Sequence, residues 1–252
     1  MIALVTGGLD RVGAAIAARL AAAGATLALH CHHDRPMAPD LAEAIARHRT
    51  PHHVFPADLS VVAEAEALVP AVAAHFGAPV TCLVNSASII REGSWQAITA
   101  EALESHHRLN VVTPVLLIRA VAEGLPAGGR ACAVNIVDQR VINPPVDQAA
   151  YTASKLALAG LTRVLARAFA PAVRINAVGP GLTIPGDDYR PGQADRIAET
   201  MPLDRLPRPA DIAEAVAYLA GAATVTGQTV MVDGGASLQS FARDFVHMES
   251  EN

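Results

Sequence analysis

Short apolar runs alternate with longer amphipathic stretches along the chain. Residues 2–5, 26–30, 52–55, 80–84, 130–137, 173–177 and 229–232 read as strands, each a near-continuous apolar run. Helical periodicity covers 12–23, ended by Gly24, and 36–48, which has a proline-rich entry. It returns at 61–75 and over a long span from about 99 to 122, with a kink expected at Pro114. Further helices are expected at 150–170, 193–199 and 210–220. The Pro/Gly-rich stretch 179–192 reads as loop. Strands without polar alternation, separated by helices, predict a parallel sheet covered on both faces. The fold class is therefore α/β, doubly wound. Such sheets bind ligands beyond the carboxyl ends of their strands.

Composition narrows the function. At 252 residues the chain suits one α/β domain spanning 1–252. With 52% hydrophobic and 17% charged residues it can bury a full core, which excludes a disordered chain. Apolar runs fall short of the roughly 18 residues a membrane span needs. Asp10 and Arg11 interrupt the first apolar run, so no signal peptide is expected. A net charge of −5 gives no footprint for nucleic acid. Cys31, Cys82 and Cys132 are sparse and read as free thiols of a cytoplasmic protein. No metal site is expected.

The segments that follow the strands carry the candidate chemistry. Thr6-Gly7-Gly8-Leu9-Asp10-Arg11-Val12-Gly13 opens a helix, where backbone N–H groups and the helix dipole can cradle a pyrophosphate. After the second strand, Cys31 stands where an NAD site would place an acid. Arg11, His32, His33 and Arg35 suit a 2′-phosphate instead, with Asp34 the opposing charge. A solvated loop is the plain alternative for the histidines. Asp58 reads as a helix cap, an adenine contact, or both. Asn85-Ser86-Ala87-Ser88 is a small polar cluster that allows close approach of a cofactor, or an ordinary strand-end turn.

The strongest constellation is Asp138, Tyr151 and Lys155. Tyr151 and Lys155 are four apart on one helix face. Lys155 is the only lysine in a chain whose other cations are arginines. An ammonium beside a phenol stabilises the phenolate and lowers its pKa from about 10. Tyr151 is thus expected to exchange protons near neutrality.

These residues resemble the short-chain dehydrogenase/reductase family. The likeness covers nearly the whole chain, through Thr6-Gly7, Gly13, Asp58, Asn85-Ser86-Ala87, Asn110, Tyr151-Thr152-Ala153-Ser154-Lys155, Asn176 to Gly181, Thr226-Gly227 and Asp233-Gly234-Gly235. It implies a single Rossmann-type domain with a seven-stranded parallel sheet, and a homotetramer or homodimer. It makes Tyr151 the proton donor and acceptor, and gives Lys155 the nicotinamide ribose. Asn110 would position a relay water, and the segment with Pro180, Gly181 and Thr183 would meet the nicotinamide. Val12, Leu59 and Ala87 complete the implied cofactor contacts.

Two departures resemble the pteridine reductase branch. Arg11 replaces the middle glycine of the usual turn, and Asp138 replaces the usual serine thirteen residues before the tyrosine. The branch implies that Arg11 touches cofactor phosphate and pterin, and that Asp138 with Tyr151 supplies protons. Ser88 and Ile90 fall in the substrate region. There the branch carries an aromatic ring that stacks on the pterin, and Trp95 is a candidate to supply one.

The expectation is an NADP(H)-dependent oxidoreductase delivering hydride to a polarised C=N or C=O of a small molecule, a pteridine among the candidates. A carbonyl reductase or alcohol dehydrogenase on another substrate, and a non-catalytic nucleotide-binding protein, are the alternatives. A mobile substrate lid is expected within 182–201.

Overall fold

The computed structural model describes residues 1–90, 96 and 98–248. Seven strands form one parallel sheet: β1 (Ile2–Val5), β2 (Thr26–Cys31), β3 (His52–Pro56), β4 (Cys82–Asn85), β5 (Ala131–Ile136), β6 (Val173–Pro180) and β7 (Thr229–Val232). Their order is β3-β2-β1-β4-β5-β6-β7. The chain reverses its direction of travel between β1 and β4, which leaves a crevice at their carboxyl ends.

Alternate strand residues serve opposite faces. Ala3, Val5, Leu27, Leu29 and Val84 face helices α1 (Arg11–Ala22), α2 (Pro39–His48) and α8 (Pro209–Gly221), meeting Ile16, Leu20, Leu41 and Val216. Leu4, Ala28, Leu83, Ala133 and Ile175 face α3 (Val62–Phe76), α5 (Thr113–Glu123) and α6 (Ala149–Ala168), meeting Val69, Val72, Leu117, Ile118 and Leu165. Both faces are buried by apolar side chains, as the apolar runs required. Among the described residues no helix is long and apolar enough to cross a membrane.

Two elements differ from expectation. The long helix at 99–122 is divided into α4 (Ala100–His107), a π turn at Arg108–Val112, and α5. The irregularity precedes Pro114 rather than sitting on it. Pro114 has no N–H for the carbonyl four residues back, and the chain widens so that Thr113 N–H bonds Arg108 O. Helix α2 begins at Pro39, since Pro39 suits the first helical position. The tail beyond β7 is structured, with 3-10 turns at Ala236–Leu238 and Phe245–His247. Helix α7 (Gln193–Thr200) packs there, through Ile197, Met201, Ala236 and Phe245.

Candidate active site

A cleft of about 1030 Å³ crosses the carboxyl ends of the strands. Its floor begins at the switch point. Thr6 Oγ1 accepts the N–H groups of Ser86 and Ala87, each at 2.9 Å, and joins the ends of β1 and β4. Gly7 has φ +64°, and a Cβ there would stand 3.3 Å from Ala87 Cα. A Cβ on Gly13 would lie 2.0 Å from Gly7 O. The turn is thus closed as tightly as a glycine pair allows, with its backbone against the cleft. Asp10 caps α1 by accepting Arg11 N–H at 2.7 Å. Arg11 holds φ +52°, a left-handed conformation that costs a non-glycine residue of order 1–3 kcal/mol. Its Nη2 donates to Ile184 O at 3.3 Å, bridging the glycine turn and the segment after β6.

His30 braces this turn. Its Nδ1 accepts Gly7 N–H at 3.1 Å, and Nε2 lies 3.0 Å from Ala57 O. One nitrogen accepts and the other must donate, so the ring is neutral with its proton on Nε2. Burial lowers its pKa from 6.5, in keeping with that role. Beyond it, His32 and His33 stack at 3.8 Å and are exposed. His32 Nε2 is 3.6 Å from Asp58 Oδ2, and Arg35 pairs with Asp10 at 3.1 Å. Asp58 does not cap α3. It closes the preceding turn by accepting both N–H and Oγ–H of Ser60, and these bonds lower its pKa.

At the other end, Asp138 follows β5 and Tyr151 and Lys155 stand on α6. Tyr151 Oη donates to Asp138 Oδ2 at 3.0 Å. Asp138 Oδ1 accepts the backbone N–H and the Nε–H of Arg140, at 3.0 and 3.1 Å. Lys155 Nζ donates to Ile136 O at 2.8 Å and lies 5.6 Å from the Tyr151 ring centre. Burial lowers its pKa to about 8, with Asp138 raising it and Arg140 lowering it.

The expected lowering of the Tyr151 pKa is not what the geometry gives. Burial, and then Asp138, push the phenol well above its ordinary value, against a smaller opposing effect of Arg140. Tyr151 is buried and hydrogen-bonded to a carboxylate, which favours the protonated phenol. The hydroxyl therefore keeps its proton and commits it to the hydrogen bond with Asp138.

The cleft brings together Gly7, Arg11, Val12, Gly13, His32, His33, Asp58, Leu59, Ala87, Ser88, Ile90, Asp138, Tyr151, Lys155, Pro180, Gly181 and Thr183. Asn85 and Asn110 stand behind it. Asn85 is buried and donates to Asn135 Oδ1 at 2.8 Å, tying β4 to β5. Asn110, in the π turn, accepts from Ser88 Oγ and Ile89 N–H and donates to Ile89 O and Ser154 Oγ. Its amide is saturated, so any water at Asn110 must use the main chain. Ile90 is exposed on the cleft wall and brings no ring; among the described lining residues, phenyl and phenol rings come from Tyr151, Tyr189 and Phe245. Trp95 lies outside the described residues.

Sequence reasoning missed Arg140 and Asp244. Arg140 Nη1 donates to Gln148 Oε1 at 2.8 Å, and Nη2 meets Asp244 Oδ2 at 2.5 Å. The only local signal was an arginine two residues after Asp138, in a chain rich in arginine.

The sheet order and the Asp138–Tyr151–Lys155 cluster define a nucleotide-dependent oxidoreductase architecture. A family model described as Enoyl-(Acyl carrier protein) reductase matches residues 9–237. The chain belongs to the short-chain dehydrogenase/reductase family. It is 33% identical over 245 residues to a putative ketoacyl reductase 2 of the granaticin polyketide synthase from Streptomyces violaceoruber, covering 94% of this chain and 96% of that one. Among solved structures it is similar to FolM alternative dihydrofolate reductase 1 from Brucella canis complexed with NADP, with TM-score 0.88, 34% identity and 96% of each chain covered. It is also similar to a blue fluorescent protein from a metagenomic library in complex with NADPH, with TM-score 0.82 and 32% identity, covering 93% of this chain and 96% of that one.

Proposed function

We propose that this oxidoreductase is an NADP(H)-dependent reductase of a C=N bond in a small nitrogen heterocycle of the dihydropteridine kind. The observation that carries the reading is the state of Asp138. One oxygen is held by Arg140 and the other faces Tyr151. A carboxylate so paired is an acceptor. It repels the oxygen of a ketone but welcomes a substrate that presents N–H donors beside its reducible bond. A serine at this position would serve a carbonyl oxygen instead. The FolM relative's description as an alternative dihydrofolate reductase supports the same reading.

The chain fits the cofactor. The Gly7–Gly13 cradle has no room for side chains and leaves its backbone to a pyrophosphate. Arg11, His32 and His33 line the adjoining wall and would hold a 2′-phosphate, with Leu59 and Ala87 available to the adenosine. Pro180, Gly181 and Thr183 would meet the nicotinamide, and Lys155 would hold its ribose. NADPH, when bound, supplies the hydride. Tyr151 gives its phenolic proton to the substrate nitrogen. Negative charge then growing on Oη is offset by Lys155 and by Arg140, whose guanidinium carbon lies 5.0 Å from the ring centre. Arg11, Ser88 and Ile90 form the substrate wall, and Tyr189 and Phe245 offer it aromatic surface.

NADPH oxidation against a panel of dihydropterins, pterins, quinones and simple ketones tests the proposal. Turnover is expected with dihydropterins above the rest. A carbonyl reductase would show the reverse order. Tight NADPH binding without turnover on any of them would mark a non-catalytic nucleotide-binding protein.

A further inference from the structure

We infer that Arg140 is a positioning residue of the active site, held in place by Asp244 of the C-terminal segment, and that this pair fixes which oxygen Asp138 presents to Tyr151. The inference rests on the reading of Tyr151 and Asp138 as the proton-handling groups.

Arg140 occupies the short 3-10 turn Gln139–Val141, and only 6% of its surface is exposed. A buried cation is costly unless its donors are met. Here the fork is held on three sides, by Asp138 Oδ1, Gln148 Oε1 and Asp244 Oδ2. A planar group held on three sides cannot turn. Its Nε and backbone N–H therefore keep Asp138 Oδ1, and Oδ2 is left for the phenol.

Asp244 comes from 104 residues further along the chain. It is itself held, since its backbone N–H donates to Asp147 Oδ2 at 2.8 Å and its Oδ1 accepts Val246 N–H. Gln193 of α7 donates to the carbonyls of Phe245, Val246 and Met248, each at 3.1 Å. The segment from Asp244 to Met248 is thus a built wall of the cleft. A bare staple for the tail would not require its charge to reach the guanidinium that orients the catalytic carboxylate.

The chain's single lysine makes the test direct, because Lys155 gives one resonance in protein labelled with 13C at lysine Cε. The groups facing Lys155 are Asp138, Arg140 and Tyr151. Its titration would be followed without substrate in the unmutated protein, Arg140→Gln and Asp244→Asn, beside kcat and KM for NADPH oxidation. The unmutated midpoint is expected at about 8. Arg140→Gln removes a cation and should raise it. Asp244→Asn removes an anion, which by electrostatics alone would lower a lysine's midpoint. If Asp244 holds Arg140 in place, the freed guanidinium swings away and the midpoint rises instead. Both variants should lose kcat, by about a hundredfold if Asp138 is misplaced by 1 Å, with little change in KM for NADPH. A midpoint unmoved or lowered in Asp244→Asn overturns the role of Asp244. Unchanged kcat in either variant overturns the positioning role. Should Arg140→Gln fail to fold, Asp244→Asn alone decides the matter. The titration needs no turnover, so a wrong substrate class and a wrong positioning role give different results.

Discussion

Lys155 is the residue whose cost and use are most clearly separated. Its ammonium is buried, with one carbonyl as its hydrogen-bond acceptor, and its pKa falls from 10.5 to about 8. A lysine whose folded pKa is depressed destabilises the fold while charged. Between pH 8 and 10.5 the unfolded chain binds more protons, so stability from this group rises with pH. Lys155→Met should therefore abolish turnover yet raise the melting temperature at pH 7. Each kcal/mol gained corresponds to about 2–4 °C in a chain of this size. The gain should shrink as pH rises from 8 to 10, and thermal melts across that range check it. A variant less stable at pH 7 would contradict the assignment. Lys155 and Tyr151 were legible because four-residue spacing puts two side chains on one helix face. The direction of the Tyr151 shift was not, because it depends on Asp138 and on burial, neither of which spacing reveals. Arg140 escaped because its partners, Gln148 and Asp244, are set by tertiary packing.

At the level of elements, the strands were legible from apolar runs, and the glycine turn from its place after the first of them. The π turn was not, since periodicity sees proline as a break but not where the chain absorbs it. That displacement matters, because it puts Asn110 behind Ser88 and Ile89, where it ties the β4 extension to α6 through Ser154. The glycine turn makes a sharper claim. A Cβ 2.0 Å from Gly7 O must push the start of α1 away from β1. Gly13→Ala should keep the sheet, as judged by circular dichroism, but weaken NADPH binding by roughly tenfold or more, ~1.4 kcal/mol. Fluorescence titration of NADPH measures this. Unaltered affinity would mean that the cradle is not the pyrophosphate site.

On the scale of the whole molecule, the sheet order sets the crevice, and the carboxyl ends of six strands supply its residues. The segment after β6, α7 and the tail close its far side through Ile197, Met201, Ala236 and Phe245. Sequence patterning gave no hint of that closure, because Ile197, Met201, Ala236 and Phe245 meet only through tertiary packing. The central claim is that Asp138, held as a carboxylate beside Tyr151, makes this chain a reducer of C=N bonds. The measurement that meets it most directly is kcat/KM with NADPH for a 7,8-dihydropterin and for a simple ketone, in the unmutated protein and in Asp138→Ser. The unmutated protein should favour the dihydropterin. Asp138→Ser should lose most of that activity, by roughly a hundredfold if the substrate is misplaced by about 1 Å, while its ketone activity holds or improves. A ketone preference in the unmutated protein, or equal losses on both substrates in Asp138→Ser, would contradict the account.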